Sequence, residues 1–336
     1  MKIFLSLIPV LLFLGLLLLF DCFRLINRWM LIVCLLWGGV AASLSLAGNS
    51  LATEFFHLSF NTLSRYVAPF TEETLKMVIL ILLISGHRIG FAIDAAIYGF
   101  AVGSGFAFTE NLIYLLQLGA EQSNLWLWIA RGVGTSVMHG GMTAIAGIIL
   151  VNRLTDTRRL TQPFILAVVI AYFIHALYNA FLISPLESAL VMIILVAAIM
   201  MTVFHYGTRN LKKWLDVGMD AEVSLLLMIK KGKFSKTRAG AYLLSIKDHF
   251  PKEVVVDLYC FLALYLELSV KAKCLLLLKE NGLPLPMDPG ISNKLIELDH
   301  LRKQIGKSGM LSIKPVLRMN RSDIWALSVL KQNQFS

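Results

Sequence analysis

Ten polar or ionisable side chains interrupt the apolar stretches between residues 69 and 182: Glu72, Glu73, Lys76, Asp94, Glu110, Asn111, Arg131, His139, His175 and Asn179. A charge at the centre of a membrane helix costs about 2.5–3.5 kcal/mol on insertion scales. Such a set persists when its members face one another across a protected interior. Glu72 and Glu73 precede Lys76 by four and three residues, so either carboxylate can reach the ammonium along one helix surface. Two carboxylates so placed can divide the work of activating water and donating a proton; an ion pair that merely locks the helix is the plain alternative.

His139 follows Arg131 by two helical turns, and Thr143 follows His139 by one turn on the same face. His175 and Asn179 stand four apart and share a face. Together Glu110, His139 and His175 offer the oxygen and nitrogen donors that zinc takes in catalytic sites, where a fourth position is kept for water. They lie on three separate predicted helices, and no H-E-x-x-H pattern ties two of them together.

The elements that must position these groups are membrane helices. The chain is 57% hydrophobic and 15% charged, with a mean hydropathy of +0.72, whereas soluble domains carry about 25% charged residues. Seven stretches are long enough to cross a bilayer, which takes about 20 apolar residues. They are 3–20, 29–47, 66–85, 89–116, 125–151, 163–183 and 186–204. After the first comes Asp21-Cys22-Phe23-Arg24, with no small-residue cleavage site, so it is read as a span. The chemistry belongs to spans three to six. In span four the run Gly99 to Phe108 is rich in small residues, which lets neighbouring backbones approach closely.

Positive charge sets the orientation. Arg24 and Arg28, then Arg88, then Arg153, Arg158 and Arg159, then Arg209, Lys212 and Lys213 fall in alternate connections, which are therefore cytoplasmic. The N-terminus is expected outside and the C-terminus inside. Residues 51–66 read either as an interfacial helix on the outer face or as an ordinary amphipathic linker.

Residues 1–205 hold 10 basic against 9 acidic side chains, and residues 206–336 hold 21 against 12. The fold class is accordingly an all-α polytopic bundle over 1–206, followed by a basic helical cytoplasmic domain over 207–336. Breakers at Pro251, Gly282 to Gly290, Gly306 and Gly309 are expected to divide that domain. Its charges are scattered among apolar helical stretches, which suits anionic lipids or a cytoplasmic protein and argues against nucleic acid. The four cysteines form no C-x-x-C pair, so neither a disulfide framework nor a thiolate metal site is implied.

Four motifs carry a family likeness. Glu72-Glu73-Thr74-Leu75-Lys76 matches E-E-x-x-K, and Phe106 through Glu110-Asn111 matches F-x-x-x-E-N. Arg131 through His139, Thr143 and Gly147 matches R…H-x-x-x-T-x-x-x-G, and His175 to Asn179 matches H-x-x-[WY]-N. In this order, on separate spans, they resemble the PrsW family of intramembrane proteases. Related CAAX prenyl endopeptidases differ where this chain has Lys76 and Glu110.

The resemblance implies hydrolysis of a membrane-anchored protein, in bacteria typically an anti-sigma factor, at the cytoplasmic membrane. By carry-over, Glu72 or Glu73 activates water; Glu110, His139 and His175 hold it, directly or through a zinc ion; Asn179 stabilises the oxyanion. Metal-dependent and glutamate-only mechanisms both accommodate these residues. A non-catalytic scaffold, like the related subunit of gamma-secretase, and a proton-coupled transporter are the competing classes. Counting from the span ends places Glu73, Glu110 and His175 about 10, 9 and 12 Å below the outer boundary, with His139 deeper at about 21 Å. That predicts cleavage near the outer face.

Overall fold

The protein is described by a computed structural model covering residues 2–19, 26–118, 130–156, 160–180, 182–284, 288–317, 319 and 321–332. Every regular element among them is helical. Five helices are long and apolar enough to cross a membrane, and they contain Arg28–Phe56, Ala92–Gln117, Arg131–Leu154, Thr161–Asn179 and Pro185–Lys230. Helices also occupy two further expected spans, α1 (Lys2–Leu19) and α3 (Ala68–Ser85). Helix α3 falls outside the five because Glu72, Glu73 and Lys76 crowd its 18 residues.

The chain divides into two compact units, Met1–Thr208 and Arg209–Ser336. In the first, α2 (Arg28–Phe56) begins where the Asn27 side chain accepts the amides of Trp29 and Met30, satisfying donors that the first helical turn leaves free. It ends at His57, which adopts a left-handed conformation with φ 51°. A separate helix over 51–66 is therefore not formed as one unit. Its first six residues prolong α2, and the rest form a short turn, Phe60–Thr62, and a π-helical turn, Leu63–Val67, leading into α3.

Helix α4 (Ala92–Leu118) is the centre of the bundle, packed against α2 on one side and α5 (Ser136–Asp156) on the other. Its glycines make this possible. A Cβ at Gly103 would strike the His139 carbonyl, one at Gly99 would come 2.6 Å from the Thr143 carbonyl, and one at Gly105 would strike the Leu35 carbonyl. Close backbone approach of this kind drives association where lipid offers no hydrophobic contrast. It brings the His139 turn of α5 directly onto α4. Helix α6 (Thr161–Asn179) packs on α5 and α3 and closes the group of four.

Helix α7 (Pro185–Lys230) is 46 residues long and continues past Phe204, where the seventh apolar stretch ends. Hydropathy changes there, but no residue stops the helix. In the second unit, α8 (Arg238–Ile246), α9 (Lys252–Glu280), α10 (Gly290–Leu317) and α11 (Arg321–Gln332) surround a core. Leu258, Phe261, Leu262 and Tyr265 of α9 meet Leu301, Ile305 and Ile313 of α10. Pro251 and Gly306 interrupt helices as expected, Gly306 with φ 68°. Gly309 is instead buried within α10, so it acts in packing. The buried Lys273 ammonium lies 2.5 Å from Glu222, 3.7 Å from Asp323 and 4.9 Å from the Trp214 ring centroid. Burial pushes the Glu222 carboxyl above its ordinary range, against the pull of Lys273.

Candidate functional site

Neighbouring residues on a helix point about 100° apart, so Glu72 and Glu73 meet different partners. Glu73 is fully buried, and its Oε1 lies 2.6 Å from Lys76 Nζ and 2.8 Å from His175 Nδ1. Lys76, equally buried, reaches on to His139 Nδ1 at 3.0 Å and sits 4.6 Å from the Phe106 ring centroid. An ammonium only donates, so His139 Nδ1 accepts from Lys76 and the ring proton is on Nε2. That proton is donated to Glu110 Oε2 at 3.0 Å. Arg131 donates to Glu110 Oε1 at 3.2 Å, with its guanidinium 3.6 Å from the centre of the Tyr114 ring.

His175 is fixed the other way round. The Glu73 carboxylate accepts at Oε1, so His175 Nδ1 carries the proton and Nε2 keeps a lone pair. That Nε2 is 3.8 Å from Glu72 Oε2, and Glu72 Oε2 is buried with no hydrogen-bond partner among the described residues. The His139 and His175 rings meet edge to face, 4.9 Å apart. One ligand atom each from Glu72, His139 and His175 lies within 4.8 Å of the others.

This donor set fits a metal ion of zinc's class: one carboxylate and two imidazoles, with an orphaned oxygen and a free imidazole lone pair already turned toward each other. A carboxylate behind a liganding histidine, as Glu73 stands behind His175, is the usual way to orient the ring. His139 joins such a set only by exchanging its contact with Lys76 or Glu110.

Six of the seven residues singled out as catalytic meet in one network: Glu72, Glu73, Lys76, Glu110, His139 and His175. Glu110, read from the sequence as a metal ligand beside the histidines, is engaged by His139 and Arg131, and Glu72 stands in the three-residue group. Counting residues set His139 lower than the rest, yet its side chain reaches both Lys76 and Glu110 within 3.0 Å. The amide of Asn179 donates to the Ser64 carbonyl at 3.0 Å, tying α6 to the turn before α3. Asp94 accepts the amides of Gly90 and Phe91 and so caps the start of α4. Thr143 donates to the His139 carbonyl at 2.9 Å. Tyr114 was not anticipated; its position four residues after Glu110, on the same helix face, was the available signal.

No curated protein and no solved structure matches the chain significantly. The pattern of the PrsW family intramembrane metalloprotease matches residues 27–205. That is more than half of the chain and includes every residue of the network. Family and geometry together support an intramembrane, metallo-type proteolytic site. Because the match runs through all the helices that bring the buried carboxylates and imidazoles together, the chain belongs to the PrsW family of intramembrane metalloproteases.

Proposed function

We propose that this protein hydrolyses a peptide bond of a membrane-anchored protein, with Glu72, His139 and His175 at the reacting centre. The observation that carries this reading is the buried, unpartnered Glu72 Oε2 facing the free Nε2 of His175. A zinc ion, when held by Glu72, His139 and His175, supplies a Lewis acid that polarises the scissile carbonyl and acidifies water.

The chain's own groups do the rest. Among the described residues no lysine or arginine pairs with Glu72, so of the three carboxylates it is the one whose second oxygen, the one not holding the ion, is left to accept a proton from the attacking water. Glu73 holds His175 in the tautomer that exposes Nε2, and Lys76 neutralises Glu73 in turn. Glu110, steadied by Arg131, orients His139. The surrounding α3, α4, α5 and α6 exclude bulk water, which strengthens each of these interactions. Asn179 supports the frame through Ser64 and in this reading is a positioning residue.

The topology proposed with it has seven spans in the bacterial cytoplasmic membrane, the N-terminus outside and residues 207–336 as a cytoplasmic accessory domain. Hydrogen bonds hold the members of the network close together, and counting inward from the outer ends of spans three, four and six gives the shallow level proposed for them. A single-pass or lipid-anchored substrate, of the anti-sigma-factor type, is then cut near its outer membrane boundary. Metal analysis of the purified protein, coupled to cleavage of single-pass substrates with and without a chelator, tests the chemistry. Mass spectrometry of the new termini tests the depth, and cuts clustered at the cytoplasmic end would overturn it.

A further inference from the structure

In the second unit a cavity of about 760 Å³ opens beside α10, with Gly306 on its wall. Four cations line it, Arg302, Lys303, Lys307 and Lys314, and its apolar lining includes Met310, Leu311 and Ile324. Elsewhere in this unit several lysines are matched to carboxylates: Lys212 to Glu280, Lys271 to Asp288, Lys273 to Glu222. At the cavity the sole acid, Asp299, is taken by Lys303 at 3.2 Å, and among the described residues Arg302, Lys307 and Lys314 form no ion pair. Three uncompensated cations therefore converge on an apolar recess, where a helix break at φ 68° separates Arg302 from Lys307.

We infer that this recess binds an anionic phospholipid, its phosphate on Arg302, Lys307 and Lys314 and the start of its acyl chain on Met310, Leu311 and Ile324. Charge complementarity alone would suit any anion, but apolar side chains lining the same recess as the cations favour one that carries hydrocarbon. The surplus of basic residues in this half of the chain, 21 against 12 acidic over 206–336, acts in the same direction. The inference is independent of the peptidase reading, since it uses no residue of the membrane network.

The test is hydrogen–deuterium exchange on the full-length protein in nanodiscs of phosphatidylcholine with and without phosphatidylglycerol. Phosphatidylglycerol is expected to slow exchange across 299–314 and leave α9 unchanged. The triple variant Arg302→Glu, Lys307→Glu, Lys314→Glu should lose roughly hundredfold in the phosphatidylglycerol dependence, at about fivefold for each basic group near an anionic surface. Unaltered exchange in α9 of that variant confirms that it folds. Equal exchange in the two lipids would overturn the inference, as would protection retained by the folded triple variant. Protection by inorganic phosphate alone would make this a free-anion site, and protection by an acidic peptide without a phosphatidylglycerol effect would make it a protein-docking surface; either result also overturns it.

Discussion

His175 donates its Nδ1 proton to Glu73 at 2.8 Å, across 102 residues of chain. This contact decides which face of the imidazole is available. With Nδ1 committed, the lone pair on Nε2 is turned toward Glu72, and the two adjacent glutamates acquire different jobs: one holds the ring, the other faces the reaction.

The first prediction separates those jobs. Glu72→Gln should lower turnover by about 10²-fold or more, the usual worth of a general base, with little change in thermal unfolding. Glu73→Gln strands a fully buried ammonium on Lys76, and breaking a buried pair costs about 3–5 kcal/mol. Its unfolding temperature should therefore fall clearly. Equal thermal shifts in the two variants would show that the glutamates are not divided in this way.

A second concerns the metal. With zinc in excess, Glu110→Ala should still fill the site, because Glu110 acts through His139, though activity should drop by about 10–100-fold as for other outer-shell groups. Glu72→Ala and His175→Ala should fail to retain the ion under the same conditions. Metal per protein by mass spectrometry, measured beside turnover, distinguishes the two sets; full metal content in both of the latter variants would remove Glu72 and His175 as ligands.

The helix contact behind His139 can be tested without touching chemistry. At Gly103 an added methyl meets the His139 backbone, which cannot yield, so Gly103→Ala should destabilise by about 1–3 kcal/mol and reduce activity through misplacement of His139. Gly48→Ala is the control, since nothing lies within 4 Å of a Cβ there. A Gly103→Ala protein as stable and active as the control would contradict the close α4–α5 approach.

Tyr114 supplies a graded test. Tyr114→Phe keeps a ring under the Arg131 guanidinium and should behave as wild type, whereas Tyr114→Leu removes a cation–π contact worth about 0.5–2 kcal/mol. The leucine variant should lose activity in parallel with Arg131→Met if both act by steadying Glu110. Kinetics on a single-pass substrate, including the double variant, would show whether the two losses overlap.

Much of the site was legible because membranes make polar residues conspicuous: Glu72, Glu73, Lys76, Glu110, His139 and His175 stand out against apolar helices and do converge. The glycines at 99, 103 and 105 announced tight packing, and the structure gives each a backbone to lie against. What spacing could not supply was the direction of each side chain across helices. Glu72 and Glu73 both reach Lys76 on paper, and only the placement of α5 and α6 decides that Glu73 takes it and Glu72 stands with the histidines. Helix ends were misread for a different reason. Hydropathy reports where lipid ends, while α2 and α7 continue until a backbone signal stops them, as at His57 for α2.

The Glu73–Lys76 pair lies within a single helix, three residues apart, whereas every other contact of Glu73 and Lys76 in the network comes from segments synthesised later. In the order of translation α3 precedes α5 and α6. If it spans the bilayer, an isolated charge at its centre would weigh against insertion by about 2.5–3.5 kcal/mol. A carboxylate and an ammonium three residues apart can neutralise one another from the moment the helix forms, before His139 and then His175 are made. The same ion pair that orders the finished site can thus lower the cost of carrying its own two charges into a bilayer.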